Sequence, residues 1–214
     1  MNSSERWATS RLTCAGTVKG WQLILFTIFS VNSFAASGLE MQVSAGLTDA
    51  QSPRILTDYW SHSVNFNASF GGALNESLSF FVAFTHHYFD YRGDVVAQDE
   101  HANASEVLLC VKKRMAWLNH RLLSPYYALG VGFSLLTMPD VYRQEKYDLY
   151  PIRPENLLAL RQQSTGFTAG FRLGMEFLII DPSRLFAEAF SAITLDQNNP
   201  FIYLGIRCGV LFTI

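Results

Sequence analysis

Charge is scarce in this chain of 214 residues: Asp, Glu, Lys and Arg together make up 16%, against roughly 25% in an ordinary soluble domain. The 16 basic residues are outnumbered by 18 acidic ones, which excludes a nucleic-acid partner, since a phosphate backbone calls for a positive excess. Cysteine is scarce too. Cys14, Cys110 and Cys208 are too few and too scattered for a disulfide framework or a metal centre, and no cofactor is expected. Long hydrophobic runs are missing beyond the first 35 residues, so no further segment reaches the roughly 18 apolar residues of a membrane helix. Yet hydrophobic residues make up 49% of the chain, and 17 of them are Phe. That much apolar material without a long run must be spread over alternate positions.

The last fourteen residues show such spreading most clearly. Ile202, Leu204, Ile206, Cys208, Val210, Phe212 and Ile214 share one parity; Tyr203, Gly205, Arg207, Gly209, Leu211 and Thr213 share the other. Side chains of a strand alternate between faces. One face here is wholly apolar and the other mixes in small, polar and charged groups. In water such a strand invites aggregation, whereas against hydrocarbon it is the expected pattern, apolar outside and polar inside.

The N-terminal segment reads as a secretory signal peptide over 1–35. Arg6, Arg11 and Lys19 form its basic part, Trp21–Val31 its apolar core, and Ser33-Phe34-Ala35 a small-residue cleavage site. Cys14 precedes the core and leaves with the leader. Its loss takes three of the 16 basic and one of the 18 acidic residues, leaving a net charge of −4.

Alternation recurs seven more times, over 39–48, 62–72, about 77–90, about 105–117, from Pro125, about 165–180 and about 184–194. The fourth run is the poorest, because Lys112, Lys113 and Arg114 break its parity, which suggests a bulge or a strand that ends before 117. Most runs match the roughly 9–11 residues of a tilted membrane strand. The connections 49–61, 91–104 and 138–164 are long and polar, whereas Gly71–Asn75, Asn119–Ser124 and Asp181–Ser183 are short; only the last upper loop, Asp196–Pro200, breaks the trend. Long loops on one side and tight turns on the other suit an outer-membrane barrel with both mature termini in the periplasm. The expected fold is all-β, an eight-stranded antiparallel transmembrane barrel over 36–214. A soluble lipocalin-like barrel is the rival, but Gly130, Gly132, Gly166, Gly170, Gly174, Gly205 and Gly209 all fall on the small, polar face. The narrow interior of an eight-stranded barrel needs small residues; lipid does not.

Pro125–Ser134 (PYYALGVGFS), Thr165–Ile179 (TGFTAGFRLGMEFLI) and Arg184–Leu195 (RLFAEAFSAITL) are similar in style to one group. They resemble the small eight-stranded outer-membrane β-barrel proteins of Gram-negative bacteria, the outer membrane protein A, W and X type. The C-terminal assembly signal of that group is matched by Arg207, Gly209, Phe212 and Ile214, with Ile replacing the usual terminal Phe. The resemblance covers about 39–214 and implies location in the cell outer membrane. It further implies partnership with outer-membrane lipid, lipopolysaccharide and the barrel-assembly machinery, and a structural or surface-interaction role without a large pore. It implies no specific activity.

Four charged residues share the inward parity of the last three strands: Arg172, Glu176, Glu188 and Arg207. A hairpin closed at Asp181–Ser183 puts Glu176 opposite Glu188, and such a carboxylate pair needs cations, with Lys112 and Arg114 as further candidates. The cluster reads as a plug that fills the lumen; the alternatives are a narrow channel gated by it, or an acid pair. His86 takes the lipid-facing parity and His87 the lumen. Barrel enzymes that trim lipid A use a His and a Ser on the outer face, but the nearest lipid-facing serine is read as Ser191, four strands away, beyond the reach such a pair needs. A lipid A-modifying enzyme is therefore the alternative, and a non-enzymatic barrel the expectation. Tyr59, Trp60, Tyr88 and Tyr91 at the loop side, and Trp117, Tyr126 and Tyr127 at the turn side, read as two aromatic girdles. The loop 138–164, with Pro154-Glu155 as a possible helix start, is the expected surface for a partner.

Overall fold

The computed structural model describes residues 37–91, 95–96, 101–115, 122–143, 157–195 and 200–214. The proposed signal peptide, Trp117 and the Pro154-Glu155 segment lie outside these residues. Strands β1 (Ser37–Ser52), β2 (Trp60–Ala73), β3 (Leu78–Tyr91), β5 (Ala102–Arg114), β6 (Leu123–Met138), β9 (Gln162–Ile180), β10 (Ser183–Leu195) and β11 (Phe201–Thr213) form a closed barrel. Each strand pairs antiparallel with its neighbours in this order, and β11 returns to β1. Closure satisfies every edge, the requirement that hydrocarbon imposes on a sheet. A short helix, α1 (Arg54–Tyr59), leads into β2, and β4 (Val95–Val96), β7 (Val141–Arg143) and β8 (Leu157–Ala159) form a second, three-stranded sheet within the long connections.

Burial follows the alternation of the sequence. Phe133 is 68% exposed, Ile206 63%, Leu129 57% and Val43 57%, while the alternate residues Glu40, Gln42, Asn65, Lys112, Arg172 and Arg207 are each 6% exposed or less. The barrel is thus apolar outside and polar inside, the inverse of a water-soluble barrel. Among the described residues no helix is long and apolar enough to cross a membrane, so the strands carry the crossing.

Two details differ from expectation. β5 contains no bulge: its register with β3 and β6 runs without a shift from Asn103 to Lys113, and it starts at Ala102 rather than 105. Lys112 and Arg114 continue the inward parity, and Lys113 lies outside near the turn end, exposed. The cationic run looked irregular only because two of its three members belong to the lumen. The β9–β10 hairpin also differs. Its tight turn at Asp181-Pro182 is followed by a register shift between Ser183 and Arg184, which sets Glu176 opposite Phe186 and Glu188 opposite Gly174. The two-residue turn and the one-residue bulge together displace the pairing by two residues from the expected hairpin, so both carboxylates still face inward but not each other.

Candidate functional site: a packed lumen and a polar pair on the outer face

The lumen is filled in layers. Nearest the short turns, Lys112 Nζ lies 2.9 Å from Glu40 Oε2 and 2.9 Å from Glu176 Oε1. Arg114 brackets the same two carboxylates, at 2.7 Å from Glu40 Oε1 and 3.0 Å from Glu176 Oε2. Arg184 adds a contact to Glu176 at 3.3 Å, and the Ser79 hydroxyl donates to Glu40. Buried charges are tolerated only when paired and hydrogen-bonded, and each carboxylate here has at least two cations.

Farther from the turns, Arg207 donates from Nε to Glu188, and its guanidinium lies 4.7 Å from the Phe190 ring centre. The Tyr126 hydroxyl donates to the other Glu188 oxygen at 2.7 Å. To reach it, the Tyr126 ring crosses Gly174, the residue between them in the sheet; a Cβ at Gly174 would come within 2.6 Å of the tyrosine oxygen. Arg172 sits over Phe81, 5.5 Å from its ring centre, and Tyr203 donates to Glu106. The expected cluster of Arg172, Glu176, Glu188 and Arg207 is therefore buried as read, but it is split. Glu176 belongs to the turn-side layer, and Glu188 and Arg207 to the middle.

Neutral polar groups come next. Thr48 bonds both His87, at 3.0 Å, and Asn65, at 2.9 Å. Ser134, Thr168 and Thr194 form a mutual triangle. Above them an apolar cluster that includes Leu56, Trp60, Phe89, Leu136, Met138, Val141 and Phe201 closes the loop end. Among the described residues, charge fills the turn end of the lumen and hydrocarbon the loop end.

Trp60 and Tyr126, read from sequence as girdle residues, instead point inward and are buried at 2% and 3%. Trp60 follows α1, which draws it into the apolar cap, and Tyr126 has the parity of the lumen. Tyr88, by contrast, is 46% exposed, and Tyr59 and Tyr127 are half-buried. Of the assembly-signal residues, Arg207 is in the lumen, Gly209 faces Ser44, and Phe212 is on the exterior. Ile214 exchanges two backbone hydrogen bonds with Leu39, at 2.8 and 2.9 Å.

A polar pair on the outer face overturns the Ser191 reading. Ser105 lies directly opposite His86 across the β3–β5 ladder, and its Oγ is 2.7 Å from His86 Nδ1. The sequence held the signal: Val107, Leu109 and Val111 fix the outward parity, and two residues earlier it falls on Ser105. With the strand beginning at Ala102, Ser105 lies inside it rather than at its end. The imidazole is also held edge-to-face against Tyr88, with centroids 4.4 Å apart. Among the described residues no group of His, Cys, Asp and Glu could hold a metal ion.

An apolar exterior, a charged and filled interior and a closed eight-stranded ladder define a transmembrane β-barrel of the small, side-chain-filled class. No protein-family model matches the chain, and no curated protein sequence matches it. Among solved structures it is similar to Neisserial surface protein A (NspA), with a TM-score of 0.57 and 12% identity over 82% of this chain and 97% of that one. It also matches outer membrane protein OprG from Pseudomonas aeruginosa (TM-score 0.47, 10% identity, 84% and 96% covered). A third match is Ail, the attachment invasion locus protein of Yersinia pestis (0.44, 10%, 82% and 97%). The likeness to NspA is one of fold.

Proposed function

We propose that the protein resides in the cell outer membrane, with both mature termini on the periplasmic side, as a sealed barrel that works through its outer face and loop end. The observation that carries this reading is the packed lumen. Side chains fill it from the Glu40–Lys112–Glu176 layer to the cap around Trp60, so solute passage is not its role. Such a barrel acts at its surfaces, structurally or by interaction, toward outer-membrane lipid and lipopolysaccharide, and toward a surface partner at the 138–164 connection. The asymmetry of the connections supports the orientation. Ser37 and Thr213 lie at the end of the barrel that has the short turns, and long connections in such barrels face outward from the cell. The barrel-assembly machinery is then the partner that inserts it.

Fractionation tests the location. The protein is expected in the outer-membrane fraction, migrating faster on gels when unheated than when boiled, because a closed ladder resists detergent. Recovery as a soluble periplasmic monomer that does not shift on heating would contradict the proposal.

A further inference from the structure

The lumen offers no working surface, but the outer face does. Along the exterior of β3 and β5 the facing pairs run Phe84 with Val107, then His86 with Ser105, then Tyr88 with Asn103. In the same row across the sheet, His86 is flanked by Phe66 on β2 and Ser105 by Leu135 on β6. The hydrogen-bonded His–Ser pair is thus a single polar spot with apolar side chains on three sides. Its fourth side, toward the loops, carries an aromatic ring and an amide. This step from Phe84 and Val107 to Tyr88 and Asn103 marks the upper margin of the apolar belt. In a bilayer that margin lies where acyl chains join their headgroups by ester bonds.

We propose that Ser105 and His86 form a nucleophile–base pair that hydrolyses an acyl ester of a lipid lying against this face. The acyl chain would run down over Phe84, Val107 and Phe133, which are 50%, 49% and 68% exposed, and bring its carbonyl to Ser105. Ser105 Oγ attacks the carbonyl carbon while His86 Nδ1 takes the hydroxyl proton. Collapse of the tetrahedral intermediate breaks the ester C–O bond, and His86 returns that proton to the departing alcohol. Water from the headgroup layer then attacks the acyl-serine, His86 takes a proton from it, and Ser105 leaves as the hydroxyl. The products are a fatty acid and the deacylated lipid; water is the only co-reactant.

Asn103 is the group placed to stabilise the oxyanion. Its side chain shares the outward face two residues from Ser105, and its amide nitrogen makes only a long contact of 3.4 Å, to the His101 carbonyl. Both members of the pair stand on paired strands rather than loops, which fixes their separation as catalysis requires. Among the described residues no carboxylate holds the imidazole; the Tyr88 ring positions it. Turnover is expected to be slow, since loss of the orienting acid lowers a serine triad by about 10⁴.

The inference rests on the exterior facing lipid, and its test reads the pair separately from the location. The full barrel, folded in phospholipid vesicles and checked by its heat-dependent gel shift, would be exposed to a long-chain alkyl fluorophosphonate. Sites of addition would be read by peptide mass spectrometry, and fatty-acid release from the vesicle lipid measured alongside. The expected result is covalent addition at Ser105, lost in Ser105→Ala and slowed about 100-fold in His86→Gln, with Ser191→Ala unchanged. Fatty-acid release should fall in parallel in the two site variants, while their gel shifts persist. Labelling of Ser105 no faster than Ser191 in the folded barrel, or release that Ser105→Ala leaves unchanged, would overturn the assignment.

Discussion

Arg207→Ala is expected to destabilise the barrel by about 3–5 kcal/mol, because it strands a carboxylate inside the lumen. Glu188 is 6% exposed, and its ion-pair partner in the structure is Arg207, with Tyr126 as its other hydrogen-bond donor. Arg172 is near but makes no ion pair with it, so it would have to shift from Phe81 to compensate. The loss also removes the guanidinium stacked on Phe190. Replacing both partners, as Glu188→Met with Arg207→Met, should recover much of the loss, since an apolar pair leaves no unpaired charge. Breaking the exposed Arg54–Asp58 pair, whose members are 92% and 50% exposed, should cost no more than a few tenths of a kcal/mol by comparison. Urea unfolding in micelles, followed by the gel shift, compares the three. Equal midpoints for Arg207→Ala and Arg54→Ala would mean that water reaches the lumenal pair.

Deletion of Phe212–Ile214 should reduce outer-membrane yield severalfold more than deletion of Lys146–Tyr150 from the long connection. The first removes the pairs Met41–Phe212 and Glu40–Thr213 and the reciprocal bonds between Leu39 and Ile214. It opens the seam between β1 and β11, and each backbone group left unpaired in hydrocarbon costs several kcal/mol. The second deletion removes no rung of the barrel ladder. Quantitative blotting of outer-membrane fractions distinguishes them. Equal yields would show that β1 and β11 do not close the barrel in the cell.

Period-two alternation made most of the fold legible. It placed eight strands and set their two faces, and no one-residue slip could be hidden because it would turn a whole strand inside out. Facing partners were less legible. A register shift of two residues keeps parity, so nothing in the alternation reveals that Glu176 meets Phe186 rather than Glu188. Contacts across the lumen were invisible for a related reason. Glu40 and Lys112 are 72 residues apart, and β1 and β5 are not neighbours in the sheet; only closure of the cylinder brings them together. Glu40 and Glu106 share the inward parity, but they lie on strands far in sequence from the last three, where the other lumenal charges cluster. Residue type misled at Trp60 and Tyr126, where aromatic character suggested the membrane margin and the backbone turned the rings inward. At Ser105 the parity holds, and the strand extends three residues farther toward the loop end than the alternation reveals.

Planar-bilayer recording tests the sealed lumen most directly. Purified barrels inserted into a membrane should show no large, steady conductance, and Arg207→Ala should create none beyond transient openings. The Glu40–Lys112 contact and the apolar cluster around Trp60 do not involve Arg207, so loss of its guanidinium leaves them in place. A stable porin-sized current from the wild-type protein would contradict the packed lumen, and an Arg207→Ala variant that altered that current would identify the charge cluster as its gate.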